Sequence, residues 1–198
     1  NTALHVGDDC FKVLKNLEKF KNSWGINRLV TLNQVHGAVI HEVSSDNMAD
    51  VMFSDGDGLF TREHEIALGI LTADCLNVHL IGDTATDEER GIVENALAMF
   101  ADAGDNVLKA VVGPGICEAS YEIGSEMAEI FIAKGHEASI SKKDGKLYFS
   151  LHKTVCRSLK NADVNDIIIQ NDCTFGADYL FSYRRDGGRT GRMMSVLM

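Results

Sequence analysis

The feature that most limits the fold of this chain is the mixture of two hydrophobic periods along its length. Amphipathic patterns predict helices that run from Asp8 or Asp9 to Gly25 and over 91–103, 120–134 and 151–162. Short apolar, β-branched runs predict strands over 28–33, 38–43, 66–72, 76–81, 107–112, 166–170 and 193–198. Because helices and strands intermix without a strict βαβ rhythm or a repeat, we expect a mixed α/β (α+β) fold around a large sheet. No Pro/Ser-rich linker divides residues 1–198, so a single domain is expected.

Charge and cysteine content exclude several classes of protein. The 198 residues contain 19 Lys+Arg and 29 Asp+Glu, a net charge of −10, which disfavours a general nucleic-acid or membrane-surface role. The five cysteines are odd in number, widely spaced and without a Cys-x-x-Cys pair, so neither a disulfide framework nor a zinc ribbon is predicted. With no apolar run long enough to span a bilayer and no signal-peptide pattern, we expect a cytoplasmic protein.

Two positions at strand ends are candidates for chemistry. His36 lies beside Gly37 at the end of an apolar strand, and a neutral imidazole is the commonest metal ligand in proteins. Cys75 follows Asp74 in another apolar stretch, where an acidic side chain costs free energy unless it is paired. The alternatives are a surface histidine with satisfied hydrogen bonds and a cysteine that serves as a small buried apolar residue.

A cluster of arginines near the end of the chain is a candidate anion site. Four arginines occur within residues 184–192, and glycines lie between them. Arginine binds phosphate in a bidentate manner, and glycines let backbone N–H groups approach an anion. The alternative is a solvated turn with internal ion pairs. The Asp-Gly-Asp-Gly run at 55–58 is predicted to be a turn, because the other ligands of an EF-hand loop are missing.

Five ordered motifs resemble those of the YfiH-like family. They are Gln-Val-His-Gly at 34–37, Thr-Ala-Asp-Cys at 72–75, and the segments 91–96, 113–124 and 181–192. The family is also known as the polyphenol oxidase/laccase-domain family and as zinc-dependent purine nucleoside phosphorylase. The resemblance covers nearly the whole chain and implies a layered α/β/β/α sandwich.

The resemblance also implies a metal site. It assigns His36 and Cys75 as catalytic residues and as ligands of zinc, with copper as the alternative metal. The third ligand in the family is a histidine in a His-Ala-Gly-Trp-Arg-Gly segment, which is expected between Gly82 and Gly91. This chain has too few residues there to contain that segment. Either the sequence lacks a segment that the natural chain carries or the ligand has been lost, and the well-kept flanking motifs favour the first explanation.

The activity implied by the family is phosphorolysis of adenosine, inosine, guanosine and methylthioadenosine, with adenosine deamination as a side reaction. The partners are then a purine nucleoside and phosphate, with no nucleic acid and no membrane. The residues expected to bind substrate or phosphate are Asn33, Gln34, Tyr183, Arg184, Arg185 and Arg189.

The sequence and the names of the family suggest three other functions. Cys75 activated by His36 predicts an amidase or deamidase. True loss of the third ligand predicts a domain that only binds a nucleotide-like ligand. A multicopper oxidase is disfavoured, because the seven histidines include no His-x-His pair.

Overall fold

The computed structural model describes residues 1–82, 92–102 and 106–198, and they form a mixed α/β structure. The helices are α1 (Cys10–Trp24), α2 (Met48–Val51), α3 (Ile92–Asp102), α4 (Ser125–Ala133) and α5 (Leu151–Asn161). The strands are β1 (Arg28–Thr31), β2 (Ile40–Val43), β3 (Gly58–Thr61), β4 (Ile66–Thr72), β5 (Val78–Gly82), β6 (Val107–Val112), β7 (Glu122–Ile123), β8 (Ile140–Lys143), β9 (Lys146–Phe149), β10 (Ile167–Ile169) and β11 (Met193–Leu197).

Four small sheets take the place of the one large sheet that the sequence predicts, within the described ranges. In the first, β4 is central, with β1 parallel on one side and β11 antiparallel on the other. In the second, β6 is central between parallel β10 and antiparallel β5. A parallel pair of β2 and β3 and an antiparallel sheet of β7, β9 and β8 complete the set.

The helix signals at the start of the chain are confirmed. The Asp9 side chain accepts hydrogen bonds from the backbone N–H groups of Phe11 and Lys12, which satisfies two of the unpaired donors at the start of α1. The helix ends at Gly25, whose φ of 66° is left-handed.

The middle of the chain differs from the prediction in three places. The helix predicted over 120–134 begins only at Ser125, because Glu122 and Ile123 pair with β9 and Gly124 stands at the N-cap in an extended conformation. Residues 58–61 form β3, a strand that the sequence does not predict, and it begins at the last residue of the turn predicted over 55–58. The β8–β9 hairpin was missed, although Asp144-Gly145 is a strong hairpin signal and both residues have positive φ.

The buried side chains form three clusters that fix the sheets against the helices. One packs around β1 and β4 through Val30, Ile66 and Leu68. A second joins α3 and α5 to β6, with Ala110 and Leu159 fully buried. In the described part of the chain, no helix has the length and hydropathy that a membrane crossing requires.

Candidate functional site

Three segments of the chain meet at one edge of the first sheet. Strands β1 and β4 are parallel neighbours, so the residues that follow each of them leave the sheet at the same edge. Strand β11 is antiparallel to β4, and Met193 pairs with Thr72, so Arg192 lies at this edge as well. The edge therefore brings together His36 after β1, Cys75 after β4 and the end of the arginine cluster.

Side chains hold the segment after β1 against its neighbours. The Asn33 side-chain amide donates to Asp55 Oδ1 over 2.6 Å. The Gln34 Oε1 accepts from the backbone N–H of Leu71 over 2.8 Å, which ties this segment to β4. Gln34 lines the cavity described below, whereas Asn33 does not, so the structure gives Asn33 a role in fixing the loop.

The Asp57 carboxylate organises the backbone around His36. It accepts from the N–H groups of Val35, His36 and Gly37 over 3.3, 3.0 and 2.7 Å. His36 has a φ of 58°, a left-handed conformation that costs free energy for a side chain of this kind. The three charge-assisted hydrogen bonds hold this strained backbone in place. The sequence predicts only a turn over 55–58, and no local signal points to this role of Asp57.

Asp74 is a second anchor, one residue before Cys75. Its φ is 88°, and its side chain is buried. One carboxylate oxygen accepts from the Thr174 hydroxyl, and the other accepts from the backbone N–H of Arg184 over 2.7 Å. The expectation that an acidic residue here needs a partner is therefore met by two neutral donors.

A cavity of about 1220 Å³ opens at this edge and extends between the sheets. Its volume exceeds the roughly 300–1,000 Å³ typical of small-molecule sites. Most of its wall is apolar and comes from β4, β5 and α3. Its polar rim includes Gln34, His36, Asp57, Cys75, Tyr121, Tyr183, Arg184 and Arg192. The two residues predicted as metal ligands thus line one cavity.

The Cys75 thiol is solvent-accessible within the cavity but closely surrounded by protein. Burial raises the pKa of this thiol above its ordinary value, and the negative charges of Asp74 and Asp57 raise it further. The positive charge of Arg192 acts in the opposite direction. Asp57, which holds the His36 backbone, is thus close enough to Cys75 for its charge to act on the thiol.

Two arginines stand over aromatic rings at the cavity wall. The Arg184 guanidinium lies 5.3 Å from the centre of the Tyr121 ring, and the Arg192 guanidinium lies 5.7 Å from that of Tyr183. Arg184 also donates to the Glu122 carbonyl over 3.1 Å. These contacts fix two cations beside the cavity.

The other two arginines of the cluster point elsewhere. The Arg185 guanidinium donates to the carbonyl groups of Thr174, Ala177 and Leu180 and forms an ion pair with Asp186 at 2.8 Å. Its donors are engaged in shaping the loop, and it does not line the cavity. Arg189 is exposed outside the cavity. Arg192 is not among the residues that the sequence predicts for the site, because its position depends on the pairing of β11 with β4.

The described residues do not complete a metal site. His36 and Cys75 supply two donors of the right chemical type, whereas catalytic zinc is typically held by three protein ligands. In the described ranges, no group of three His, Cys, Asp or Glu side chains could hold a metal ion. The sequence has no histidine between Gly82 and Gly91, where the resemblance expects the third ligand, and residues 83–91 lie outside the described ranges.

Comparison with known proteins places these motifs in a family. The family model described as multi-copper polyphenol oxidoreductase laccase matches residues 1–198. The chain belongs to this laccase-domain family, to which the YfiH-like proteins also belong. A purine nucleoside phosphorylase of Mycobacterium tuberculosis is 30% identical over 211 residues, which cover 100% of this chain and 83% of that protein. The purine nucleoside phosphorylase YfiH of Escherichia coli is 28% identical over 211 residues, which cover 100% of this chain and 85% of that protein.

The fold of the laccase-domain family is confirmed by solved structures. The crystal structure of the Bacillus licheniformis hypothetical protein YfiH superposes with a TM-score of 0.85 at 24% identity, over 99% of this chain and 84% of that one. The alignment with the Mycobacterium tuberculosis relative spans 211 positions against the 198 residues of this chain. That relative therefore carries residues for which this chain has no counterpart.

Substitution of Thr174 by valine tests the anchoring role of Asp74. The change keeps the shape of the side chain but leaves a buried carboxylate oxygen without its donor. We expect the free energy of unfolding to fall by about 1–3 kcal/mol in urea titrations. Thr190→Val is the matched control, since the Thr190 hydroxyl donates to the more accessible Asp186 and its loss should cost about 0.5 kcal/mol or less. Equal losses in both variants would contradict the anchoring role.

The raised pKa of Cys75 predicts slow alkylation at neutral pH. Only the thiolate reacts with iodoacetamide, and a raised pKa keeps Cys75 protonated at pH 7. The rate of Cys75 alkylation in chelator-treated protein is followed by peptide mass spectrometry as the pH is raised. This rate should still be rising at pH values where the rate for the same cysteine in the urea-unfolded chain has reached its plateau. A Cys75 profile that levels off at lower pH than in the unfolded chain would overturn this assignment.

Proposed function

We propose that the cavity at the β1/β4 edge carries out phosphorolysis of purine nucleosides. The observation that carries the proposal is the presence of Arg184 and Arg192 in the same cavity as His36 and Cys75. Two cations on a polar rim, above a large apolar interior, suit a substrate pair of one anion and one aromatic base. The names of the relatives support the same activity.

The arginines are proposed to bind phosphate and to position it. A phosphate oxygen attacks C1′ of the nucleoside, a new C–O bond forms, and the bond from C1′ to the purine nitrogen breaks. The electron pair of that bond leaves with the base, which takes up a proton, and ribose 1-phosphate is the second product. Positive charge develops on the sugar in the transition state, so a phosphate dianion held close to C1′ both attacks and stabilises it.

The aromatic and apolar parts of the cavity are proposed to receive the nucleoside. The rings of Tyr121 and Tyr183 are each capped on one side by an arginine and lie at the cavity wall. Gln34 also lines the cavity there. Adenosine, inosine, guanosine and methylthioadenosine share the purine and ribose that such a cavity would accept, and these remain the predicted substrates.

Zinc remains a prediction from the family resemblance. His36 and Cys75 are the proposed ligands, and copper is the alternative metal. Because the described residues supply two donors and a catalytic site needs three, no step of the phosphorolysis is derived through a metal. Adenosine deamination, which needs a metal-activated water, is accordingly proposed only as a side activity of protein with a complete metal site.

The alternative of a cysteine hydrolase has less support from the site. A nucleophilic Cys75 needs a partner that lowers the pKa of its thiol, such as a nearby imidazolium. Instead, burial and the charge of Asp74 raise that pKa, and Arg192 is the group that lowers it. A domain that binds nucleotides without turnover is distinguished by the assay that follows.

Replacement of each arginine by glutamine tests the phosphate site. Free base released from inosine is measured by chromatography with and without phosphate. Arg192→Gln and Arg184→Gln should each raise the KM for phosphate by about tenfold or more, since each removes a charged hydrogen-bond donor of about 1.5–3 kcal/mol. Arg189→Gln, an exposed arginine of the same loop, should leave that KM unchanged. Phosphate-independent release, or none from the unsubstituted protein, would reject the proposal.

Metal retention tests the two-donor interpretation. Protein loaded with zinc and then dialysed against metal-free buffer should keep less than one zinc per chain, because two protein ligands bind zinc more weakly than three. Cys75→Ala should reduce the retained zinc further. Retention of about one zinc per chain would show that a third ligand comes from outside the described residues.

A further inference from the structure

Two cysteines outside the cavity lie in direct contact with each other. The backbone N–H of Cys117 donates to Cys173 Sγ over 3.2 Å. Ser120 Oγ lies 3.4 Å from Cys117 Sγ and 4.0 Å from Cys173 Sγ. The proposed phosphorolysis uses neither thiol, and neither cysteine lines the cavity.

The backbone holds these cysteines side by side. Gly115 forms a parallel bridge with Cys173, and the N–H of Thr174 donates to the Gly115 carbonyl over 3.1 Å. The thiol of Cys117 follows two residues after this bridge. Both cysteines are half-buried, so a small solute can reach the sulfur atoms.

The two thiols differ in their readiness to ionise. Burial raises the pKa of Cys173, but hydrogen bonds from the thiol and the backbone N–H of Cys117 and from the backbone of Gly176 and Phe175 lower it by more, and the pKa lies below its usual value. The pKa of Cys117 is raised, first by burial and then by its hydrogen bond to Cys173. Cys173 is therefore the more nucleophilic member of the pair.

We propose that Cys117 and Cys173 are a thiol-oxidation site that hydroperoxides convert to an intramolecular disulfide. The Cys173 thiolate attacks the O–O bond of the hydroperoxide. An S–O bond forms, the O–O bond breaks, and water or an alcohol leaves after taking up a proton, so that Cys173 becomes a sulfenic acid. Cys117 then loses its proton and attacks the Cys173 sulfur, the S–S bond forms, and hydroxide leaves as water. Two thiols are oxidised and one hydroperoxide is reduced.

The pair is linked to the candidate active site through Asp74. Ile116, the neighbour of Cys117, donates its backbone N–H to the Asp74 carbonyl over 2.9 Å. Thr174, the neighbour of Cys173, donates its hydroxyl to the Asp74 carboxylate. Formation of the disulfide would shift the chain next to both of these hydrogen bonds to Asp74, the residue that precedes Cys75. An effect on phosphorolysis rests on the proposed function, whereas formation of the disulfide does not.

The proposal is tested by peptide mass spectrometry. The reduced protein is treated with one equivalent of hydrogen peroxide, and its peptides are then analysed. We expect a disulfide between the peptides that contain Cys117 and Cys173, reversed by dithiothreitol and formed severalfold faster than oxidation of Cys10 or Cys156. Cys156→Ser, which removes another half-buried thiol, should behave like the unsubstituted protein. Cys117→Ser should stop at a Cys173 sulfenic acid that dimedone traps.

Further outcomes keep the proposal separate from phosphorylase activity. In the oxidised protein, the alkylation rate of Cys75 should change severalfold, and it should not change in peroxide-treated Cys117→Ser. If Cys117→Ser does not fold, Cys173→Ser serves instead and should form neither the disulfide nor a dimedone adduct at Cys117. Peptides of Cys117 and Cys173 that stay reduced while Cys10 or Cys156 is oxidised would overturn the proposal, whether or not the protein releases free base from nucleosides.

Discussion

The buried carboxylate of Asp74 is the interaction on which the candidate site depends. It sits at a left-handed backbone position and accepts hydrogen bonds from the Thr174 hydroxyl and the Arg184 backbone N–H. Those two partners lie 100 and 110 residues further along the chain. An unpaired carboxylate in this position would cost several kcal/mol, so the three segments are stable only when they meet. The position of Cys75 and the start of the arginine cluster are consequences of that requirement.

The choice of donors for Asp74 also shapes the charge of the cavity. The Asp74 carboxylate accepts a hydrogen bond from the backbone N–H of Arg184 and not from its guanidinium. The carboxylate therefore has a donor, and the charge of the arginine side chain is not neutralised by it. Asp57 is satisfied in the same way, by three backbone N–H groups. In a chain of net charge −10, such pairing lets Arg184 and Arg192 present positive charge to the cavity despite the nearby acids. Carbonyl groups engage one nitrogen of each guanidinium, that of Glu122 for Arg184 and those of Thr190 and Gly191 for Arg192, and neither contact neutralises the charge.

Sequence patterns predict local structure and residue chemistry better than they predict which residues meet. The ends of α1 follow from Asp9 and Gly25, because capping depends on residues adjacent in sequence. His36 and Cys75 are recognisable as strand-end residues, but their place in one cavity depends on β1 and β4 being parallel neighbours, which no local pattern encodes. Arg185 and Arg192 look alike in sequence. Both guanidinium groups donate to loop carbonyl groups, and Arg192 lines the cavity because β11 pairs with β4, whereas Arg185 is turned into its own loop and paired with Asp186.

The site divides into two parts that depend on different portions of the chain. The cationic and aromatic part, with Arg184, Arg192 and their tyrosines, is fixed by contacts among described residues. The proposed metal site has two of the three ligands that the family resemblance implies, and the sequence between Gly82 and Gly91 contains no histidine to serve as the third. Phosphorolysis relies on charge and positioning, whereas deamination relies on a metal-activated water. Because the groups proposed to bind phosphate do not depend on the third ligand, the proposed phosphorolysis would survive its loss, whereas the proposed deamination would not.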